Sequence, residues 1–434
     1  MEHHHQRDER RSSLELTNVS APTITADPVP GKTILLDLSG DDKAAASWAR
    51  RTFHGTEVQR VHKQDLKWAS KSQALRSIKE LRPSTFAVFS GDLQLQSARA
   101  AISIFGALAG AHTIVLGDRQ GRTVIRGRFR VLFLDSLRLS LELAFGYGLL
   151  VPFGWAVAFV LEHFGPLLKA SSPHAQYSEV DEARLAQPGG GRTRSVLYLR
   201  AVPGASDQAA SQAGGMATHV AGFTAGALSL GHRLKFISGG GVNLSGSDAQ
   251  VQVVSPCNAF SATRTLFELC CSLRFTVKAF AIVSDPDVEF HDFDFIYQRY
   301  NRFNCAGALL SIATGKPLLL EINGSEVWIA KNWDPIGQIG LLSRIEKINF
   351  RCADLIVVVS EADRRMLLAE GIDDAKIVLN PNGVDTNQFR PGCGGAETRR
   401  KLGLDDKIAM GFLGTFGPWH GAMVLAEAAV LLVY

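Results

Sequence analysis

Five residues of this 434-residue chain stand where side chains most often do chemistry. Glu321, followed by Asn323, ends the apolar run Leu318-Leu319-Leu320-Glu321-Ile322, so a carboxylate and an amide sit at the C-terminal end of an expected strand. There Glu321 can orient a substrate hydroxyl or simply hold the strand end. His219 follows Gly214-Gly215 by one turn of an expected helix. Free backbone N–H groups at a helix start attract phosphate, and glycine lets a ligand approach the main chain. A flexible loop and a packed histidine are the plain alternative. Arg299 and Tyr300 end another apolar strand, on the side of a parallel sheet where ligands bind.

Other groups read less sharply. Asp292-Phe293-Asp294 has the form of a metal-binding D-x-D, yet at the start of an apolar strand it reads more simply as a polar strand entrance. Ser360, with Asp363 three positions on, suits an N-cap, and Glu361 lies beside it. Asn382-Gly383 suits a turn with left-handed backbone. Gly315-Lys316 lacks the upstream glycine of a phosphate loop, and neither H-E-x-x-H nor G-x-S-x-G occurs.

These residues need elements to hold them. From 195 onward short apolar strands are expected at Val196 to Val202, Leu234 to Ser238, Val251 to Val254, Phe293 to Tyr297, Leu318 to Ile322 and Leu355 to Val359. Helices are expected between them, notably from Gly215 to Leu230, Arg264 to Phe280, Arg302 to Ala313, Leu341 to Arg351 and Glu361 to Glu370. That alternation implies a doubly wound parallel sheet. After Pro391 a further strand is expected at Ala409 to Leu413, with a helix from His420. Residues 391–434 thus read as the start of a second lobe that is cut short, because one strand and one helix cannot bury a core.

The first 194 residues divide differently. Residues 1–30 read as a loose tail, and His3, His4 and His5 as part of it. Strands at Thr33 to Leu38, Phe86 to Phe89 and His112 to Leu116, with helices at Ser72 to Leu81 and Ser97 to Ala109, predict a small α/β unit over 31–125. Leu143 to Leu161 holds 19 consecutive uncharged residues, enough for a membrane span. Pro152 in its middle and Gly146, Gly148 and Gly154 around it favour an in-plane or re-entrant pair of membrane helices broken at Pro152. A straight span and a buried core hairpin are the alternatives. Residues 126–170 are therefore expected to form a membrane-associated helical segment, and 171–194 a linker.

Composition limits the choice further. The 46 basic and 42 acidic residues leave +4, too little for a nucleic-acid binder. Residues 51–150 hold 15 basic against 7 acidic side chains, a local +8 that suits an anionic membrane surface. None of the six cysteines makes a C-x-x-C pair, which suits a reducing compartment. No apolar leader segment precedes the first strand.

In sequence order the groups resemble one family. Gly214-Gly215-x-x-x-His219, Gly231-His232, Asp294 to Tyr300, Ala353 to Ser360, Pro381-Asn382-Gly383-Val384-Asp385 with Phe389 and Pro391, and Gly411 to Gly414 with His420-Gly421 are similar to the retaining glycosyltransferases of family 4. The resemblance spans about 195–434. It implies the two-lobed GT-B fold, with 195–390 as the acceptor Rossmann domain and a donor lobe beginning at 391. It also implies hexosyl transfer with retention from a nucleotide-sugar to a saccharide or lipid-linked acceptor, without metal or other cofactor. By that resemblance Glu321, Asn323 and His219 are the candidate catalytic residues. Gly214, Gly215, Gly414, His420 and Gly421 would face the donor phosphates, and Arg299, Tyr300, Ser360, Glu361 and Asn382 the acceptor cleft. Such a protein belongs in the cytoplasm, against the inner face of the cell membrane, making polysaccharide. A non-catalytic saccharide-binding or membrane scaffold on the same fold is the second reading. It is motivated by His420 where a phosphate-binding lysine is common and by Glu427 standing without a second donor carboxylate; Glu321-Ile322-Asn323, where many members carry a histidine, is a further departure from the family pattern.

Overall fold

The computed structural model describes residues 32–54, 56–62, 71–94, 96–170, 193–202, 215–240, 242, 249–257, 259–387, 389–413 and 421–432, with side chains of 166–170 left aside. The expected tail and nearly all of the expected linker lie outside these residues. The chain divides into two compact units, Met1–Arg138 and Leu139–Tyr434.

In the first unit, β1 (Lys32–Asp37), β2 (Val58–His62), β3 (Pro83–Ser90), β4 (Thr113–Asp118) and β5 (Thr123–Gly127) form one sheet in the order β2-β1-β3-β4-β5. The first four run parallel and β5 antiparallel to β4. Ile34, Leu35, Phe86, Ala87, Ile114 and Val115 are buried on both faces, which is why these strands are nearly continuous apolar runs. The helices α1 (Asp42–Thr52), α2 (Lys71–Glu80) and α3 (Arg99–Leu108) cover the faces. The alternation expected over 33–116 is present. It also contains α1, β2 and the edge strand β5, which the apolar pattern did not reveal. In α1 the buried stripe is Ala45, Trp48 and Ala49, and the Asp41 carboxylate caps it by accepting from the Ala44 N–H.

One helix, α4 (Arg128–Gly165), spans 38 residues without a break. This corrects the expected pair of helices broken at Pro152. Two π turns, Val131–Asp135 and Gly146–Leu150, interrupt its α pitch. Pro152 stands directly after the second, at the second residue of the next α segment, where the wider turn accommodates its missing N–H. Gly146 permits close packing, since a Cβ there would lie 2.4 Å from Leu266 Cδ1.

The second unit carries a seven-stranded, wholly parallel sheet, β12-β11-β10-β9-β6-β7-β8. Its strands are β6 (Ser195–Arg200), β7 (Arg233–Ser238), β8 (Gln250–Val253), β9 (Phe295–Arg299), β10 (Leu318–Ile322), β11 (Leu355–Val358) and β12 (Ile377–Leu379). The helices are α5 (Gly215–Ser229), α6 (Arg264–Ser284), α7 (Ala306–Thr314), α8 (Glu326–Asn332), α9 (Ile339–Cys352) and α10 (Glu361–Ala369). This is the doubly wound α/β arrangement expected. Strand order reverses between β6 and β9, which opens a crevice at their C-terminal ends. The main core lies under α6, α7 and α9 with the second-unit part of α4 added to it, and α5 covers a smaller cluster around Tyr198.

Beyond β12 the described residues form α11 (Gly395–Lys401) and α12 (Ala422–Leu431), with no buried residue in either. The strand expected at Ala409 to Leu413 is not formed: no described strand lies beside it to share a hydrogen-bond ladder, and Ile408 and Leu413 are fully exposed.

Candidate active site

The register of the sheet brings the site together. Arg200, the last residue of β6, pairs with Arg299, the last of β9, and Arg299 pairs with Glu321 on β10. Three charged side chains thus stand in a row at the strand-order reversal. Arg299 Nη1 donates to Glu321 Oε1, to which Asn323 Nδ2 also donates at 2.6 Å. Tyr297 donates its hydroxyl to Glu321 Oε2 at 3.1 Å. His219 Nε2 lies 3.0 Å from Glu321 Oε1. Arg200 Nη1 donates to Ser238 Oγ at 3.3 Å at the end of β7, and its Nη2 lies 3.6 Å from Met216 Sδ at the start of α5.

Local packing explains why the histidine arrives there. Phe223, one turn after His219 on α5, packs on the Tyr297 ring at 4.5 Å, and Tyr297 stacks on Tyr198 at 5.1 Å. This aromatic layer seats α5 against the sheet, so His219, on the same helix face, meets the strand ends. The Glu321 side chain is 1% exposed and that of His219 25%. Burial alone would raise the Glu321 pKa, but the His219 contact and the Arg299 charge outweigh it and hold the carboxyl below its ordinary value. A carboxylate kept ionised by three donors is a poor proton acceptor. It is well suited to orienting the imidazole, which together with the exposed Asn323 reaches the solvent side. Because the folded pKa is depressed, the stability this group adds is present above its unfolded pKa and is lost as pH falls through the folded value.

A second charged network braces the loops. Arg302 Nε donates to Glu326 Oε2 at 2.7 Å, and Arg302 Nη1 lies 3.2 Å from Asp334. Arg264 joins Glu268 and Asp334. Glu346 accepts from Ser325 Oγ at 2.6 Å and from the Glu326 N–H at 2.8 Å, holding the start of α8. Burial drives the Glu346 pKa up to about 7.

The expected site residues therefore separate. His219, Arg299, Glu321 and Asn323 converge. The Tyr300 N–H donates to the Glu321 carbonyl at 2.9 Å, but its side chain does not join them. The next residue along a strand faces the other way, and the buried Tyr300 ring instead lies in the field of Glu346 and Glu326, which with burial raises its pKa. Ser360 caps α10, accepting from the Asp363 N–H at 3.2 Å. Glu361 is exposed and pairs with Arg364, and Asn382 is exposed in the following loop, so neither meets the Glu321 group. Gly215 opens α5, and a Cβ there would meet nothing within 4 Å. Gly421 precedes α12 with φ +68°. Gly214, Gly414 and His420 lie outside the described residues.

Asp292-Phe293-Asp294 is a strand entrance. Asp294 Oδ2 accepts from the Ser195 N–H at 2.7 Å, at the end of the sheet opposite Glu321. Asp354 does the same for the Leu318 N–H at 2.7 Å. Sequence reading missed Arg200 and Tyr297 as partners. Their only signal was a position at or near the C-terminal end of an apolar strand.

The chain was compared with known proteins on this basis. Residues 213–388 match the model of Glycosyltransferase Family 4. Among solved structures, Anabaena HepE in complex with UDP-glucose overlays with a TM-score of 0.39 at 16% identity, covering 55% of this chain and 57% of that one. The complex of the same protein with UDP and glucose gives a TM-score of 0.38 at 17% identity over 55% and 58%. D-lactate dehydrogenase with NAD+ from Lactobacillus jensenii gives a TM-score of 0.22 at 10% identity over 88% and 100%. This chain thus spans little more than half the length of the HepE structures. No curated protein sequence matches. The matched stretch contains His219, Arg299, Glu321 and Asn323, and residues 213–388 of this chain are related in sequence to Glycosyltransferase Family 4.

Proposed function

We propose that the chain is a glycosyltransferase that moves a sugar from a nucleotide-sugar to a hydroxyl of a saccharide or lipid-linked acceptor, with retention and without a metal. One observation carries this reading: the family match covers every member of the His219–Arg299–Glu321–Asn323 group, and that group sits at the strand-order reversal where doubly wound sheets bind ligands. In this reading His219 meets the acceptor hydroxyl or the transferred sugar, Glu321, itself held by Asn323, fixes the imidazole, and Arg299 keeps Glu321 ionised. The open start of α5 at Gly215 offers N–H groups to the donor diphosphate, whose departure needs positive charge.

The test is transfer of radiolabelled sugar from UDP- and GDP-sugars at millimolar concentration to lipid and saccharide fractions. Glu321→Gln and His219→Ala are expected to lower transfer by about 100-fold or more while leaving the circular dichroism spectrum unchanged. Saccharide binding without transfer by the unaltered chain would overturn the enzyme reading in favour of a scaffold. Transfer undiminished in both variants would overturn the assignment of this group.

A further inference from the structure

The second-unit part of α4 is apolar on both faces: Val151, Ala158 and Leu161 are buried in the core while large apolar side chains also face outward. Between Leu139 and Gly165 it carries two carboxylates, Glu142 and Glu162, and no lysine or arginine. Both face the protein. Glu142 is 7% exposed and accepts from Ser261 Oγ at 3.4 Å, while Glu162 pairs with Arg344 at 3.3 Å and Arg351 at 3.7 Å on α9. The opposite face presents Leu141, Phe145, Leu149, Phe153 and Phe164, each about half exposed or more. A water-facing helix keeps its apolar stripe inward and its charges outward.

The outer apolar residues of α4 keep a four-residue spacing along the sequence. Residues four apart drift by roughly 40° per step around an α-helix. Phe129, Phe133, Leu137, Leu141, Phe145, Leu149 and Phe153 are spaced by four, and each π turn takes up an extra residue that offsets the drift. Within the first unit, Phe129 and Phe133 are the most exposed apolar side chains of the helix, at 88% and 76%, and Arg128 and Arg130 stand beside them.

We propose that α4 lies in the plane of an anionic lipid surface, with this stripe among the acyl chains and the neighbouring arginines on the headgroups. A stripe of large aromatic and leucine side chains next to basic residues is the chemistry of an interfacial helix, whose polar side is here replaced by the protein core. Crossing the bilayer does not fit. The helix is roughly 57 Å long against a hydrocarbon layer of about 30 Å, and its inner face is bolted to α6 and α9 through Leu266, Leu269 and Leu341. A crossing would carry the Glu162–Arg344–Arg351 group into lipid. The inference is independent of the sugar-transfer reading, because it concerns residues outside the family match and its readout is partition.

Flotation of the whole chain with vesicles of phosphatidylcholine, with and without half phosphatidylglycerol, tests it. The chain is expected to float with the anionic vesicles, to be weakened by 1 M salt, and to be released by alkaline carbonate. Phe145→Glu with Phe153→Glu, and separately Arg128→Glu with Arg130→Glu, are expected to lower the bound fraction by about tenfold or more. The salt dependence of the unaltered chain reads the same interaction without any substitution. No flotation overturns the proposal, as does resistance to carbonate, which means crossing. A dimer that forms without lipid and is broken by the phenylalanine pair overturns it in favour of a second copy on this face.

Discussion

At the residue scale, two of the buried glutamates of the second unit, Glu321 and Glu346, behave in opposite ways for a reason visible in their partners. Glu321 has Arg299 and His219 against it and stays ionised. Glu346 is held mainly by a hydroxyl and backbone N–H groups and has Glu326 nearby, so burial wins. A carboxyl whose folded pKa is raised adds stability that is present below its ordinary value of 4.5 and is lost as pH rises through about 7. Glu346→Gln removes that loss while keeping an acceptor for the start of α8. Urea denaturation from pH 4.5 to 8 is expected to show the unaltered chain losing up to about 3 kcal/mol relative to the variant across this window. Parallel curves would mean that Glu346 is ionised throughout.

Elements owe their placement to a few small residues. Gly307, in the first turn of α7, lets the helix settle on β9 and donates its N–H to Gln298 Oε1 at 2.5 Å. A Cβ there would stand 2.5 Å from the same oxygen and 2.8 Å from Leu318 Cδ1. Gln298 is itself tied to Asn349 at 3.0 Å, so it has no room to move away. Gly307→Ala is expected to cost about 1–3 kcal/mol in chemical denaturation, although alanine is the better helix former. A neutral or stabilising result would show that α7 can shift outward. Much at this scale was legible in the chain itself. The run Leu318 to Ile322 is a strand over those very residues, and the helix after Gly214-Gly215 starts at Gly215. The helix α8 and the strand β12 were not legible. The first is a seven-residue helix whose cap depends on Ser325 and Glu346, the second a three-residue edge beside β11. Pro152 misled because proline breaks an α-helix, whereas this helix widens to a π turn just before it.

At the scale of the whole molecule there are two sheets with separate cores, one built around Trp48, Phe86 and Ile114, the other around α6, α7 and α9. Each is expected to unfold in its own transition. In β4, a Cβ on Gly117 would lie 2.1 Å from the Trp48 ring, which cannot yield between Phe53 and Phe89. Gly117→Val is therefore expected to lower the melting transition of the first sheet by several degrees and to leave the other in place, as read by calorimetry. A single transition moving as a whole would show that the two cores melt together.

The amino-acid order alone determined the alternation of strands and helices, the sites where a glycine opens or a serine caps a helix, and the apolar stretch around Pro152. All of these depend on neighbours within a few positions along the chain. Only the tertiary structure decided that Arg200, His219, Arg299 and Glu321 form one group while Tyr300 and Glu361 do not. Strand register and the direction of each side chain are set by packing between segments far apart in the chain, and a shift of one residue in β9 would have exchanged Arg299 for Tyr300. The same holds for α4, since composition marks it as apolar, but only the packed helix shows that Glu142 and Glu162 turn inward and its phenylalanines outward.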